Sequence, residues 1–379
     1  METDKHIQIL TADSVGLLRE MVAVPSPSFS ESAVCEHICE WMTDRGIGYE
    51  RLGNNIIAEH ITDKSKPTLM LCAHIDTVSP SEGYEFDPFE PHDDVAADVI
   101  GRMTGQDVGP DDIVAGLGSN DDGASVVSMI AAYRAFSSED QNIILVLTCE
   151  EERSGKNGMT GLWGRRFCER GANVENATEV DYAIVGEPTC MKAATAERGL
   201  LVIDATAHGQ SGHAARGEGI NALYIAVEDI AKIRVHEFER ISSRMGKVNM
   251  NVTQINAGTA HNVIPDRCDF VIDIRPTEQY TNEEILQELQ AICRSELKPR
   301  NLSNRSSATY DGSRLQEVAE ALGIGTFSSP TTSDWMRITC DAIKMGPGDS
   351  ARSHRKNEFV FVDEIRKGIE GYIEFINNL

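Results

Sequence analysis

Three short runs of uninterrupted apolar residues limit the possible folds more than any other feature of this sequence: Thr68-Leu-Met-Leu-Cys-Ala73, Asn142-Ile-Ile-Leu-Val-Leu-Thr148 and Tyr182-Ala-Ile-Val185. A strand with one wet face alternates apolar and polar residues, so continuous runs of this length read as strands covered on both faces, as at the centre of an α/β sheet. Between the first two runs lies Ala124 to Phe136, mostly apolar and long enough for a helix packed on that sheet. Thr11 to Met21 and Glu31 to Asp44 carry helical spacing, separated by Val24-Pro25-Ser26-Pro27-Ser28, whose prolines stop helices. From about residue 190 the pattern changes. Leu200 to His208 reads as a strand, Asn221 to Phe238 as a helix, Val248 to Ile255 and Cys268 to Arg275 as alternating strands, and Asn282 to Leu297 as a helix. That order describes a small α+β unit with helices on one face of an antiparallel sheet. The chain closes with a helix from about Asp363, with Ile365, Ile369, Tyr372, Ile373 and Ile376 on one stripe. We therefore expect a first domain of residues 1–189 and 301–379, with residues 190–300 inserted into it. Glu82 to Asp112, acidic and dotted with Gly and Pro, is expected to be a surface loop, and its His92-Asp93-Asp94 an ornament of that loop.

The chemistry follows each apolar run. The first ends in His74-Ile75-Asp76-Thr77, the second in Glu150-Glu151-Glu152 and the third in Gly186-Glu187-Pro188-Thr189. Open α/β sheets bind ligands beyond the carboxyl ends of their strands. Asp121, within Gly116-Leu-Gly-Ser-Asn-Asp-Asp-Gly123, adds a carboxylate just before the long helix. Singly these signals are weak, since a triple Glu is usually a solvated run. Solvated acids, however, belong on helix faces and loop tips, not at the ends of several buried strands. Carboxylates crowded in this way repel unless a cation holds them, and carboxylate with imidazole suits zinc, or cobalt or manganese.

Composition removes several alternatives. With 35 Lys and Arg against 60 Asp and Glu, the formal charge is −25, which excludes a phosphate-tracking nucleic-acid surface as the main role. An apolar fraction of 41% excludes a disordered chain. No stretch approaches the ~20 apolar residues of a membrane span, and Met1 to Leu10 has no signal-peptide pattern, so a cytoplasmic protein with no membrane partner is expected. The nine Cys are scattered through apolar runs and read as free thiols. Cys35 and Cys39 have no second Cys or His pair to make a zinc knuckle.

Taken in order, these segments resemble the acetylornithine deacetylase and succinyl-diaminopimelate desuccinylase family, which includes zinc-dependent aminoacylases and carboxypeptidases. His74-Ile-Asp76 is similar to its His-x-Asp, Gly116-x-Gly-x-x-Asp121 to its Gly-x-Gly-x-x-Asp, Glu150-Glu151-Glu152 to its Asp-Glu-Glu, and Val185-Gly-Glu-Pro-Thr189 to its Gly-Glu-Pro-Thr box. Gly346-Pro-Gly348 to Ser353-His354 resembles the closing Gly-Pro-Gly and His. Gly209-Gln-Ser-Gly-His213 and Asn262-Val-Ile-Pro265 to Asp273-Ile-Arg275 resemble the motifs of the inserted domain. The resemblance runs from about residue 10 to the C-terminus.

It implies an α/β catalytic domain, a mixed sheet flanked by helices as in zinc exopeptidases, with an inserted ferredoxin-like lid and dimerisation domain. It implies two divalent metal ions, probed first as Zn with Co or Mn as alternatives, bridged by Asp121. One ion is also held by His74 and Glu187, the other by Glu152 and His354. Asp76 then fixes the His74 tautomer, a role favoured independently because metal-bound imidazoles donate their other N–H to an acid. Glu151 is the implied general base, His213 an oxyanion donor acting across a homodimer, and Asn262 and Arg275 substrate-binding residues, Arg275 for an α-carboxylate. The implied substrate is a small-molecule N-acyl amino acid, first N-acetyl- or N-succinyl-L-ornithine in arginine biosynthesis; succinyl-diaminopimelate desuccinylation and general aminoacylase or dipeptidase activity stay open. Glu197, Asp334 and Asp349 are candidate partners for a distal substrate ammonium. One departure is plain: the family's Lys in Asp-x-Lys-Gly is absent from Asp121-Asp122-Gly123-Ala124. A serine hydrolase is disfavoured, because Gly209-Gln-Ser211-Gly-His213 is not Gly-x-Ser-x-Gly and follows no buried parallel strand. A non-catalytic binder would have lost the base, and Glu151 is present.

Overall fold

The three apolar runs are neighbouring parallel strands. In the computed structural model, which describes residues 2–379, Thr68–His74 pairs in parallel with Asn142–Thr148 on one side and Tyr182–Val185 on the other. A fourth parallel strand, Asp341–Lys344, pairs with Tyr182–Val185. Its four residues begin with an acid and end with a base and carried no legible run. Antiparallel Asn55–His60 extends the sheet beyond Asn142–Thr148, which makes it mixed. Every residue of Thr68–His74 and Asn142–Thr148 is buried, the physical reason for their unbroken hydrophobicity. Alternate side chains feed two layers. Leu69, Leu71 and Ala73 join Leu18, Met129, Ile369 and Tyr372 of the helices Glu2–Val22, Ala124–Ala135 and Val362–Asn378. Met70 and Cys72 join Ile144, Phe167 and Trp335 on the other face. These elements belong to the first of two compact units, which comprises residues 1–195, 309–327 and 333–379.

Glu82 to Asp112 differs from the expected loop, because it contains the helix Asp94–Thr104. Asp93 caps its start, accepting the Val95 N–H, and Gly105 ends it in a left-handed conformation. Ala96, Ala97, Val99 and Ile100 are buried with Phe86, Ile113 and Phe359. Its apolar stripe is short and mostly alanine-sized, so acidity masked it in the sequence.

The second unit comprises residues 196–308 and 328–332. Its strands Leu201–His208, Asn249–Ala257, Arg267–Arg275 and Glu296–Pro299 are all antiparallel and lie in the order second, third, first, fourth. With helices Ala222–Val235 and Asn282–Ile292 between them, this is the ferredoxin-like β-α-β-β-α-β arrangement. The second helix is shorter than its expected end at Leu297. The chain turns because the buried Asp229 carboxylate accepts the N–H groups of Arg294 (2.9 Å) and Ser295 (2.8 Å) and the Ser295 hydroxyl (2.8 Å). Glu296–Pro299 then pairs with Ile203–Thr206 as the sheet's edge.

Burial opposes the charge on Asp229, but the Ser295 and Arg294 donors and Lys232 outweigh it and hold its carboxyl below the ordinary value of 3.8. Its stabilisation is therefore full above 3.8 and is lost as pH falls through the lower folded value. Asp229→Ala should cost about 1–3 kcal/mol by orphaning buried donors, read as a lowered Tm at neutral pH. The gap from wild type should close on acidification; an unchanged Tm at neutral pH excludes this turn as a determinant of the unit.

Candidate metal and catalytic site

The candidate side chains lie at or just beyond the carboxyl ends of three of the parallel strands. His74 closes its strand with a ring that is only 3% exposed, and its Nδ1 lies 2.9 Å from the main-chain oxygen of Asp76. A carbonyl can only accept, so Nδ1 carries the proton and Nε2 is left facing Asp121 Oδ1 at 3.3 Å. The tautomer is thus held by the Asp76 carbonyl, a correction to the expected carboxylate, whose Oδ1 lies 3.6 Å from Nδ1. That carboxylate does something else. It accepts the amides of Glu151 (3.0 Å, Oδ1) and Glu152 (3.2 Å, Oδ2) and the Ser28 hydroxyl (2.6 Å, Oδ2). Asp76 is therefore the clamp that places the two glutamates of the neighbouring strand end.

Asp121 follows the tight Gly-x-Gly turn. A Cβ on Gly116, whose φ is 120°, would meet the Pro88 carbonyl and Val22 at 2.5 Å, so only glycine lets the turn close there. Glu358 Oε1 then accepts three amides of this turn, from Gly118 (3.1 Å), Asn120 (3.1 Å) and Asp121 (3.0 Å). The missing Lys has a steric reason: a side chain on Gly123 would run into the Gly118 carbonyl and Leu18. Held this way, Asp121 turns Oδ1 to His74 and Oδ2 to His354 Nε2, 3.7 Å away. His354 Nε2 also lies 2.9 Å from Glu152 Oε2.

Two sets of ligand atoms gather within 4.8 Å of one another: His74, Glu151 and Glu187, and His74, Asp121 and Glu152. A carboxylate with its two oxygens turned to two imidazoles, flanked by Glu152 and Glu187 and with no thiol among them, is a donor set that fits a pair of divalent cations. Glu151, expected as base rather than ligand, lies inside the first set. The electrostatics show the strain of these groups without a cation. Burial, then the charges of Glu187, Asp334 and Glu152, push the Glu151 carboxyl well above its ordinary value. Burial, with Asp121 and Asp122, does the same to Glu187. Burial lifts Asp122 to about 8, which leaves it neutral at pH 7. The hydrogen bond to Glu152 raises His354 to about 9. For His74, burial favours the neutral ring, but Asp121 and Asp76 outweigh it and raise the value well above normal.

Several supports carried no sequence signal. Ser28 ends the proline segment and the fully buried Glu31 precedes the helix Ser32–Asp44, where its Oε1 accepts the amides of Phe29 (2.6 Å) and Glu150 (3.2 Å). Of the three acids considered for a substrate ammonium, Asp334 is buried and accepts from Thr148 Oγ1 at 2.7 Å, with burial lifting its carboxyl to about 6. Glu197 is fully buried and accepts from Ser307. Asp349 alone is partly exposed, capping Ala351 beside the Gly346-Pro-Gly348 turn. His92 pairs with Asp111 on the exposed surface, outside the cluster.

In the second unit, His213 and Asn262 are brought together. His213 pairs with Val263 across a short antiparallel ladder, and the Ala214 amide donates to the Asn262 carbonyl at 3.0 Å. His213 Nδ1 accepts the Ala215 amide at 3.2 Å, so the proton of the neutral ring sits on the exposed Nε2. Arg275 is bonded through Nε (2.8 Å) and Nη2 (3.1 Å) to Asp273 on the same strand, so a substrate carboxylate has to compete with that pairing.

Two family models and several known proteins match this chain. Residues 195–301 match the peptidase dimerisation domain, and residues 55–208 match peptidase family M28. A succinyl-diaminopimelate desuccinylase of Wolbachia pipientis (strain wPip) is 25% identical, across 97% of this chain and 93% of its own. An acetylornithine deacetylase of Proteus mirabilis is also 25% identical, across 95% and 96%. Among solved structures, the aminopeptidase PepT of Bacillus cereus superposes with a TM-score of 0.70 at 20% identity, covering 97% of this chain and 98% of its own. A dinuclear metal-binding peptidase of Bacillus subtilis superposes with 0.67 at 16% identity, covering 98% and 99%. The chain has the fold of these peptidases, and no helix among its described residues is long and apolar enough to cross a membrane.

A cation that relieves crowded carboxylates stabilises the fold that presents them. Metal-stripped protein titrated with Zn²⁺, Co²⁺ or Mn²⁺ should gain about 2.7 kcal/mol for each site filled at 100 times its Kd, read as a raised Tm, and should take up two ions per chain by elemental analysis. Asp121→Asn should abolish most of the gain. No Tm shift with any of the three ions would overturn the metal-site reading.

Proposed function

We propose that this chain, a metal-dependent amidohydrolase related to the acetylornithine deacetylases and succinyl-diaminopimelate desuccinylases, hydrolyses the N-acyl amide bond of a small amino acid. The observation that carries the reading is Asp121, whose two carboxylate oxygens face two different imidazoles while the Glu151 amide is clamped beside them by Asp76. Asp121, His74, Glu187, Glu152 and His354 would hold the two ions, with Zn as the first choice. When bound, the ions supply Lewis acidity to the scissile carbonyl and to the attacking water. The residues do the rest. Glu151 takes the proton of the water and returns it to the leaving amine nitrogen. His213, with its Nε2–H outward, donates to the oxyanion, Asn262 assists it, and Arg275 exchanges Asp273 for the substrate α-carboxylate.

The first substrate class is N-acetyl- or N-succinyl-L-ornithine, in the cytoplasm and in arginine biosynthesis. N-succinyl-diaminopimelate is the second reading, supported to the same degree by a relative of equal identity. Both substrates pair an α-carboxylate with a distal ammonium, for which Asp349 has the needed exposure. A homodimer built through the second unit is supported by the dimerisation-domain match and by the edge strand Asn249–Ala257. That strand is paired on one side only, exposed along most of its length, and flanked by the exposed Tyr224 and Val227.

Three measurements test these roles. Side-by-side kcat/KM values for N-acetylornithine, N-succinylornithine and succinyl-diaminopimelate should exceed those for neutral N-acyl amino acids; equal values remove the distal ammonium from the reading. Glu151→Gln should lower kcat by roughly 10²–10⁴-fold with bound metal unchanged, whereas loss of an ion would make Glu151 a ligand. Mixing His213→Ala with Glu151→Gln protein should restore about a quarter of wild-type activity at statistical exchange, since half the dimers then hold one complete site. No recovery places His213 in its own chain's site.

A further inference from the structure

Phe29 occupies a conformation that its side chain disfavours. Its φ is 73°, in the left-handed region where Cβ crowds the carbonyl and a bulky residue is an outlier. Its side chain is 61% exposed, so core packing does not repay that conformation. The segment around it is tied to the catalytic edge. Ser28 donates its amide to the Thr77 carbonyl (3.1 Å) and its hydroxyl to Asp76 (2.6 Å), and the Phe29 amide goes to the Glu31 oxygen that also receives the Glu150 amide. Phe29 is therefore one residue from a direct partner of Asp76. Consecutive Cα atoms are 3.8 Å apart, so the Phe29 backbone lies beside the residue that bonds Asp76.

Left-handed non-glycine residues recur near this edge: Glu150 precedes the proposed base, His354 faces Asp121 and Glu152, and Cys190 and Met191 bond the Gly346-Pro-Gly348 turn, Met191 packing on the core. Phe29 has no polar side-chain group to justify the strain. Among the described residues, it is the one large exposed apolar side chain on a segment hydrogen-bonded to Asp76 and Glu150. Strain kept at such a place points to function rather than stability. The edge is otherwise acidic, whereas an N-acyl amino acid carries a run of methylenes between its charged ends. We propose that Phe29 is a specificity-determining substrate contact, whose ring covers the methylene portion of the N-acyl amino acid. The left-handed backbone is retained because it aims the ring. The inference rests on the deacylase reading and adds to it a residue that discriminates substrates by their apolar length.

The test compares wild type, Phe29→Gly and Phe29→Leu for Tm, metal content and kcat/KM on N-acyl amino acids of increasing chain length. Phe29→Gly relaxes the backbone and should raise Tm by about 2 °C. It should also lower kcat/KM roughly tenfold on long substrates, mostly through KM, and less on short ones, as expected for lost apolar contact. Phe29→Leu, which restores an apolar wall, should recover most of that loss, and metal content should not change. Full kcat/KM in Phe29→Gly overturns the inference while leaving the deacylase reading intact. A fall in kcat at constant KM also overturns it, because it would show a positioning role through Ser28 and Asp76. A wild-type protein inactive on the whole panel removes the deacylase reading and this inference with it.

Discussion

The catalytic edge depends on one buried carboxylate. Asp76 is fully buried and accepts a hydroxyl from the proline segment and two amides from the turn after the neighbouring strand, while its main-chain oxygen fixes the His74 ring. Three separate pieces of chain are thereby held around one side chain. Burial raises its proton affinity, but His74, Ser28 and the Glu151 amide overcome this and hold the carboxyl below its ordinary range. It stays ionised, and hydrogen bonds to a charged acceptor are about twice as strong as neutral ones. Without them, the turn carrying Glu151 and Glu152 would have no fixed position relative to His74.

The same economy explains how much was legible in the sequence. Buried parallel strands announce themselves by unbroken hydrophobicity, so Thr68–His74, Asn142–Thr148 and Tyr182–Val185 could be read, and with them the residues at their ends. Asp341–Lys344 is equally buried but has only four residues with acid and base at its ends, and nothing separates it from a loop. The helix after Asp93 was hidden by the acids around a small apolar stripe. Asp229 ended the helix at Ile292 through contacts 65 and 66 residues away in sequence, which no local pattern can report.

Residues that bear chemistry were easier to find than those that hold them. His74, Asp121, Glu151, Glu152, Glu187 and His354 belong to recognisable motifs and do meet in space. Ser28, Glu31 and Glu358 act through hydrogen bonds to backbone or carboxylate, and any polar surface residue looks the same in sequence. The exact role of Asp76 was missed for a related reason. A His-x-Asp pair suggests a side-chain contact, yet the short reach from residue 74 to 76 brings the carbonyl closer than the carboxylate.

The strand Asp341–Lys344 lies in the interior of the sheet, next to Tyr182–Val185, and His354 comes after it in sequence. During synthesis, residues 1–195 emerge with a vacancy at that interior position and with the cluster short of one imidazole. The second unit is nearly contiguous, so its four strands are complete long before the gap can be filled. Non-local strand pairing is slow, and an unfilled sheet exposes its edges to other chains. The most hydrophobic strands are thus made before the strand that lies among them, and the cluster gains the His354 imidazole only after that strand has been made.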